Sequence, residues 1–480
     1  MQTAVNKEAY HELLPQMLCR HGLITGATGS GKTVSIKVLA ESFSELGIPV
    51  FLQDVKGDLS GFIEKGVASV KFKEHLERVG VGEPDYQTYP TVFWDVFGEL
   101  GHPMRTTISE MGPLMMSRLL KLNDTQMGIV YTVFKVADDQ KLLLLDLKDF
   151  VALLDYVSAN RKELITDYGM ITMQSVAAIK RKLLMYEQDG LACLFGEPAL
   201  DMADLMKCDH GKKGTIHVLN AKELSHNPST YSGFLLWMLS ELYEQLEEVG
   251  ELELPKMVFF FDEAHLIFNQ APPYLLEKIE QVIKLIRSKG VAIFFVTQSP
   301  ADVPDEVLSQ LGNRIQHVLR AYTPKEQKAV RVAADSFRAN PKFDTATIIT
   351  QLGVGEALIS FLDKAGVPKP VERVWMMPPK SKIGSSDEAS ILSNMKNDRI
   401  GSKYDSAVDR ESAFELLKNR IVQKETEALE MTRSNKHQSK TRKRRTDTPM
   451  DKMLKSAATA IGSQIGRTII RGIMGSLSKR

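Results

Sequence analysis

From His21 onward, short apolar runs alternate with stretches whose apolar positions recur at helical spacing. Gly22–Thr25 leads into a glycine-rich segment, Gly26–Thr33. Val34, Val38, Leu39, Phe43 and Leu46 then mark one helix face, which Gly47 closes. Ile48–Asp54 reads as a buried strand. Strand, turn, helix, strand is the start of a parallel α/β sheet. Between Pro103 and Met206 the periodicity is helical and turn signals are few, which predicts a helical insertion. Strand-like runs return at Gly214–Asn220, Lys256–Glu263, Val291–Gln298, Arg314–Leu319, Glu356–Leu362 and Val371–Met377. Helical stretches at Phe234–Val249 and Tyr274–Gly290 separate some of them, completing a doubly wound sheet.

After Pro378–Pro379 the chain turns Ser-, Lys- and Asp-rich, reading as a flexible linker with a partial helix over Ser412–Leu429. Arg433–Arg445 holds seven Lys/Arg and no acid. Met453, Ala457, Ile461, Ile465, Ile469, Ile473 and Leu477 then stripe a basic amphipathic helix, weakened by glycines. The expected organisation is therefore a first part of an α/β core (1–102), a helical insertion (103–206), a second part of the core (207–379), a flexible linker with the basic run (380–448) and an amphipathic helix (449–480).

Composition adds exclusions. With 43% hydrophobic and 25% charged residues, the 480-residue chain has material for a sizeable core, against disorder or a fibrous repeat. Its 61 basic and 60 acidic residues leave net charge silent about partners. Cys19, Cys193 and Cys208 are far apart, which argues against a disulfide scaffold or zinc ribbon and fits a reducing compartment. No apolar run approaches the roughly 18 residues of a membrane span. The N-terminal residues lack a secretory pattern, so a cytoplasmic location is expected.

The segment GATGSGKT matches GxxxxGK[ST] in full. Gly26, Ala27, Thr28, Gly29, Ser30 and Gly31 are small enough for backbone N–H groups to wrap a phosphate chain, and the following helix aims its positive end there. Lys32 would reach the β- and γ-phosphates of ATP, and the Thr33 hydroxyl would ligate Mg²⁺. A second carboxylate for the metal is expected at Asp262, which ends the buried run MVFFF. Glu263, next to it, would polarise the attacking water. That pair favours a hydrolase over a small-molecule kinase or a switch with little turnover. Gln298 ends the next strand as a candidate γ-phosphate sensor. Arg287, Arg314 and Arg320 are candidates to stabilise transition-state charge on a neighbour's nucleotide; each taken alone also fits a surface or structural arginine.

GATGSGKT, PVFLQDVKGDLSG, FFFDEAHLIF and LIRSKGVAIFFVTQSPADVPDEVLSQLGNRIQHVLRAYTP together resemble the HerA–FtsK superfamily of P-loop ATPases, most closely its bacterial HerA-like branch. The resemblance covers roughly residues 11–379. It implies a RecA-like core of the additional-strand, catalytic-glutamate type, with an extra strand between the Walker A and Walker B strands. It also implies a homo-oligomer, a hexamer, with ATP at subunit interfaces. By matching position, Lys32 and Thr33 take the Walker A roles, Asp262 and Glu263 the Walker B roles, Gln298 the sensor role and Arg287 the trans-finger role. Asp54 matches a family signature of unassigned role. About twenty residues precede the first expected strand, so the N-terminal β-barrel of HerA proper is not expected here.

Two function classes follow. One is a DNA translocase or helicase, with Ile179–Leu184 or the basic run tracking phosphates. The other is an ATPase acting on protein or at a membrane surface, its last helix either on anionic lipid or docked on protein.

Overall fold

The computed structural model describes residues 2–6, 9–67, 73, 76–77, 80–209, 211–250, 252–270 and 273–438. Twelve strands form one sheet: β1 (Gln2–Val5), β2 (Tyr10–Glu12), β3 (Gly22–Thr25), β4 (Val50–Asp54), β5 (Thr91–Asp95), β6 (His102–Pro103), β7 (Ile216–Asn220), β8 (Met257–Phe261), β9 (Val291–Thr297), β10 (Asn313–Gln316), β11 (Glu356–Ser360) and β12 (Glu372–Met376). Their spatial order is β2-β1-β12-β11-β10-β3-β9-β8-β4-β7-β5-β6. The run from β10 to β6 is parallel throughout; β11, β12, β1 and β2 extend it antiparallel. Strand β9 lies between β3 and β8, which is the additional strand the resemblance implies.

Both faces of the parallel block are covered, so its strands are apolar without alternation. Phe259 and Phe261 of β8 pack with the insertion helices, whereas Val258 and Phe260 face the helix α1 (Lys32–Glu45) side. The helices of the insertion run from Ile108 to Gln188 and share one core with β5, β8 and β9. Register aligns Thr25 with Thr297, Phe261 with Phe295 and Asp54 with Asn220. The carboxyl ends of these strands thus open on one edge, where ligands of open α/β sheets bind.

Several expectations need correction. Strands β1, β2, β5 and β6 add to the expected set: β1, β2 and β6 have only four, three and two residues, whereas β5 is as long as β4 and is unexpected. Strand β10 stops at Gln316, because the backbone of Val318 turns away to accept the Ala27 N–H at 2.8 Å. The basic stretch Ile179–Leu184 keeps the helical form expected of the insertion. It lies inside the helix Met173–Gln188, where Ile179 and Leu183 are buried and Lys180 pairs with Asp155 at 2.7 Å.

The first part of the expected flexible linker is packed, not flexible. Its polar residues meet buried partners instead of water. Glu41 of α1 accepts from the Lys380 and Ser381 backbone and the Ser381 hydroxyl, and Tyr404, fully buried, donates to Asp204 at 2.5 Å. A compact unit extends to Leu417. The second unit begins at Lys418; its described part is helical to Gln438. The rest of the basic run, and the expected helix 449–480, lie outside the described residues. Among the described residues, no helix is long and apolar enough to cross a membrane.

His102 clamps this strap. Its Nδ1 lies 2.6 Å from Asp405 and its Nε2 3.3 Å from Asp398. Burial opposes protonation, but the two carboxylates win and raise its pKa. A raised folded pKa means the stabilisation is complete below the unfolded value, about 6.5, and lost as pH rises through the folded value. We expect the melting temperature to fall as pH rises above that point, and a His102→Gln variant to lose most of this slope. An unchanged slope in His102→Gln would show that the clamp is not the titrating group.

Candidate nucleotide site

Strand β3 ends at Thr25 and the chain wraps back on itself before α1. Gly26, Gly29 and Gly31 have φ of 151°, 75° and 113°, conformations an L side chain resists. A Cβ on Gly26 would sit 2.5 Å from that of His317, so the loop is seated directly on that residue. His317 is fully buried, bonded to the Ser35 hydroxyl and the Glu356 carbonyl, each at 2.9 Å. Burial pushes its pKa down to about 4, so it supports the loop as a neutral ring. Lys32 folds onto the loop it serves, donating to the Gly26 carbonyl at 2.7 Å and the Ala27 carbonyl at 3.2 Å. The Ser30 hydroxyl is buried without a hydrogen-bond partner among the described residues. The amino end of α1 and this loop form a cradle for an anion.

Four carboxylates and a second lysine approach the cradle from neighbouring strand ends. Asp54 ends β4 and is buried. Its Oδ1 accepts from the Gly57 and Asp58 backbone at 2.7 and 3.3 Å, its Oδ2 from Leu59 at 2.9 Å. Burial dominates these bonds and pushes its pKa up to about 6. Asp54 therefore acts as the scaffold of the loop 55–59. That loop delivers Asp58, which accepts the Thr33 hydroxyl at 3.0 Å, and Lys56, which forms an ion pair with Glu263.

Asp262 follows β8 and is buried; burial first, then the Glu263 charge, push its pKa up to about 7. Glu263 has φ of +48°, an uncommon conformation for a side-chain-bearing residue. That turn is why two consecutive residues both reach the site, although neighbours on a strand diverge. Burial works against the Glu263 charge, but the Lys56 ammonium beside it holds its pKa below the usual carboxylate value. His265 Nδ1 lies 3.1 Å from its other oxygen.

These donors fit magnesium. Thr33, Asp58 and Asp262 offer hard oxygen atoms, and Asp58 Oδ1 is buried with no hydrogen-bond partner among the described residues. Among the described residues no three His, Cys, Asp or Glu side chains converge to hold a metal unaided. Magnesium bound through one or two protein oxygens plus substrate phosphates needs no such cage.

Gln298 follows β9 and lines a cleft of about 340 Å³ with Ala27, His265, Asp302 and Arg320. Arg287 lies in the turn Ile286–Lys289, before β9 begins. At about 3.3 Å per residue, the strand separates it from Gln298 by roughly 20 Å. Arg314 is engaged within its own chain. Its guanidinium donates to the carbonyls of Leu311, Leu308 and Ser336 at 3.1, 3.1 and 2.7 Å, tying strand β10 to the preceding and following segments. The residues that sequence reasoning passed over are Lys56, Asp58, His265 and His317. The available signal was the density of charge in DVKGD directly after a buried strand.

The family model described as Helicase HerA-like C-terminal matches residues 2–480. The curated DNA double-strand break repair helicase HerA of Sulfolobus acidocaldarius is 22% identical over 353 residues, 71% of this chain and 62% of that protein. Its namesake from Saccharolobus solfataricus is 22% identical over 374 residues, covering 74% and 64%. The chain thus spans a little under two thirds of the length of these relatives. Among solved structures, the bacterial conjugative coupling protein TrwBdeltaN70 aligns with a TM-score of 0.52 at 12% identity, covering 78% of this chain and 88% of that one. The plasmid coupling protein TrwB in complex with ADP and Mg²⁺ gives 0.52 at 12%, covering 80% and 97%. The parallel sheet with its inserted strand is therefore the P-loop fold of those proteins, and the chain belongs to the HerA-like helicase C-terminal family.

Proposed function

We propose that this chain is an ATP hydrolase that couples turnover to translocation or unwinding of DNA, working in the cytoplasm as a homo-oligomeric ring, a hexamer. The observation that carries the reading is the meeting of Lys32, Thr33, Asp262 and Glu263 across the ends of β3, β9 and β8. Lys32 exchanges its loop carbonyls for the β- and γ-phosphates. Thr33 and Asp262, with Asp58 beside them, hold Mg²⁺, which when bound offsets charge on the phosphates. Glu263 accepts a proton from the attacking water, and Gln298 orients that water against the γ-phosphoryl group. Arg287, at the far end of β9, serves the nucleotide of a neighbouring copy. The TrwB structure holding ADP and Mg²⁺ supports the ligand, and the curated names of the HerA relatives support DNA as substrate.

The test is ATPase rate with double-stranded DNA, single-stranded DNA or anionic vesicles, at two salt concentrations. We expect stimulation by DNA that fades at high salt, as phosphate contacts release counterions. Lys32→Ala is expected to lose nucleotide binding and turnover. Stimulation by vesicles alone would favour the membrane-surface reading instead. Normal activity in Lys32→Ala would sink the site assignment.

A further inference from the structure

We propose that Lys56 is a latch sensing the γ-phosphate: its ammonium holds the Glu263 carboxylate until the terminal phosphoryl group of a bound nucleoside triphosphate draws it away. This rests on the ATPase reading of the same site and goes beyond it. Four observations carry it. Lys56 is ion-paired to Glu263; the carboxylate is buried, with its side chain 6% exposed, while the lysine side chain is 37% exposed and so has room to move. The second Glu263 oxygen faces His265 Nδ1 at 3.1 Å. With the Lys56 ammonium on one oxygen and the His265 ring beside the other, the carboxylate is poorly placed to take a proton from water. The backbone under Lys56 is pinned by the three Asp54 contacts, so the side chain swings from a fixed point. Finally, Lys56 lies within electrostatic reach of Lys32, the residue matched to the β- and γ-phosphates.

Bringing in the phosphate chain changes this balance. Lys32 and Lys56 are both parked on acceptors of the protein itself, a pair of carbonyls and a carboxylate. A γ-phosphoryl group carries more charge than a carboxylate and presents three oxygens. It therefore draws the Lys56 ammonium away and frees Glu263 at the moment its water is in place. ADP lacks that group, so with ADP the latch stays on Glu263. Lys56 thus contributes to triphosphate binding and hardly to diphosphate binding. A residue with a purely structural role has no reason to make that distinction.

The experiment uses the full chain, with Mg²⁺, and measures binding of a non-hydrolysable ATP analogue and of ADP to the parent, Lys56→Met and Lys56→Arg. A lost charge-assisted contact predicts about ten- to hundredfold weaker binding of the triphosphate analogue to Lys56→Met. ADP affinity should stay within about twofold, since no such contact is lost there. Lys56→Arg, keeping the charge, should recover most of the difference. Unchanged affinities in Lys56→Met, or equal losses for both nucleotides with an unaltered melting curve, overturn the latch. If Lys56→Met does not fold, an ATP-over-ADP preference in Lys56→Arg reduced as far as outright charge loss predicts overturns it as well. A parent chain that binds neither nucleotide defeats the ATPase reading and the latch together. A parent that hydrolyses ATP while Lys56→Met keeps the full preference defeats the latch alone.

Discussion

Glu263→Gln should retain ATP and stop cleaving it, with turnover about 10²- to 10⁴-fold below the parent chain. The substitution changes little in shape. Glutamine fills the same volume after β8 and tolerates the same φ of +48° as glutamate does. It cannot accept a proton from water, so the loss falls on the chemical step. Binding should hold or tighten, because the change also removes the carboxylate that pairs with Lys56. Asp262 is left in place to hold the metal, which separates this variant from one that disables the Walker B carboxylate. Nucleotide retention on the purified chain, together with single-turnover cleavage of labelled ATP, reads both halves. A Glu263→Gln chain that cleaves ATP at a rate near the parent's would remove Glu263 from the base role.

The parts of this site that are legible in sequence are the local ones. GATGSGKT must sit between a strand and a helix to work, and both flanks show their periodicity within about twenty residues. MVFFF is apolar on successive residues because helices cover both sheet faces, so the acidic pair that follows it stands out as a strand terminus from the residue order alone. What stays hidden depends on partners distant in the chain. Asp54 has no assignable role until its three backbone bonds are seen to fold the next five residues. Lys56 looks like any exposed lysine of a charged loop until Glu263, some two hundred positions later, turns to meet it. Arg314 and Arg287 are indistinguishable as arginines beside strands; three backbone carbonyls claim the first. The strap after Pro379 failed for a related reason. Ser, Lys and Asp signal solvation only when water is their partner, and Ser381, Ser386 and Tyr404 find theirs on α1, beside Ser60 and at Asp204.

Arg287→Ala should bind ATP normally and lose about 10³- to 10⁵-fold in turnover, the range for a trans arginine on a phosphoryl transition state. Its place in the chain fits the proposed role on a neighbour's nucleotide. Within one chain it lies before β9, while Gln298, Asp262 and Lys32 gather past the strands' other ends. No side chain of that length crosses roughly 20 Å of sheet. In a head-to-tail ring the two ends of neighbouring subunits come together, which lets one copy complete the other's site. That arrangement has a consequence a structural arginine lacks. Arg287→Ala subunits keep Glu263, and Glu263→Gln subunits keep Arg287, so each is inactive alone and a mixture contains interfaces with both groups intact. Random assembly of equal amounts makes about a quarter of the interfaces complete, so activity should return to about that fraction of the parent's if sites act independently. Mixed rings can be verified by pulling down one tagged variant and finding the other. Confirmed mixed rings with no recovery of turnover would place Arg287 in the fold of its own chain and leave the transition-state cation to be found elsewhere.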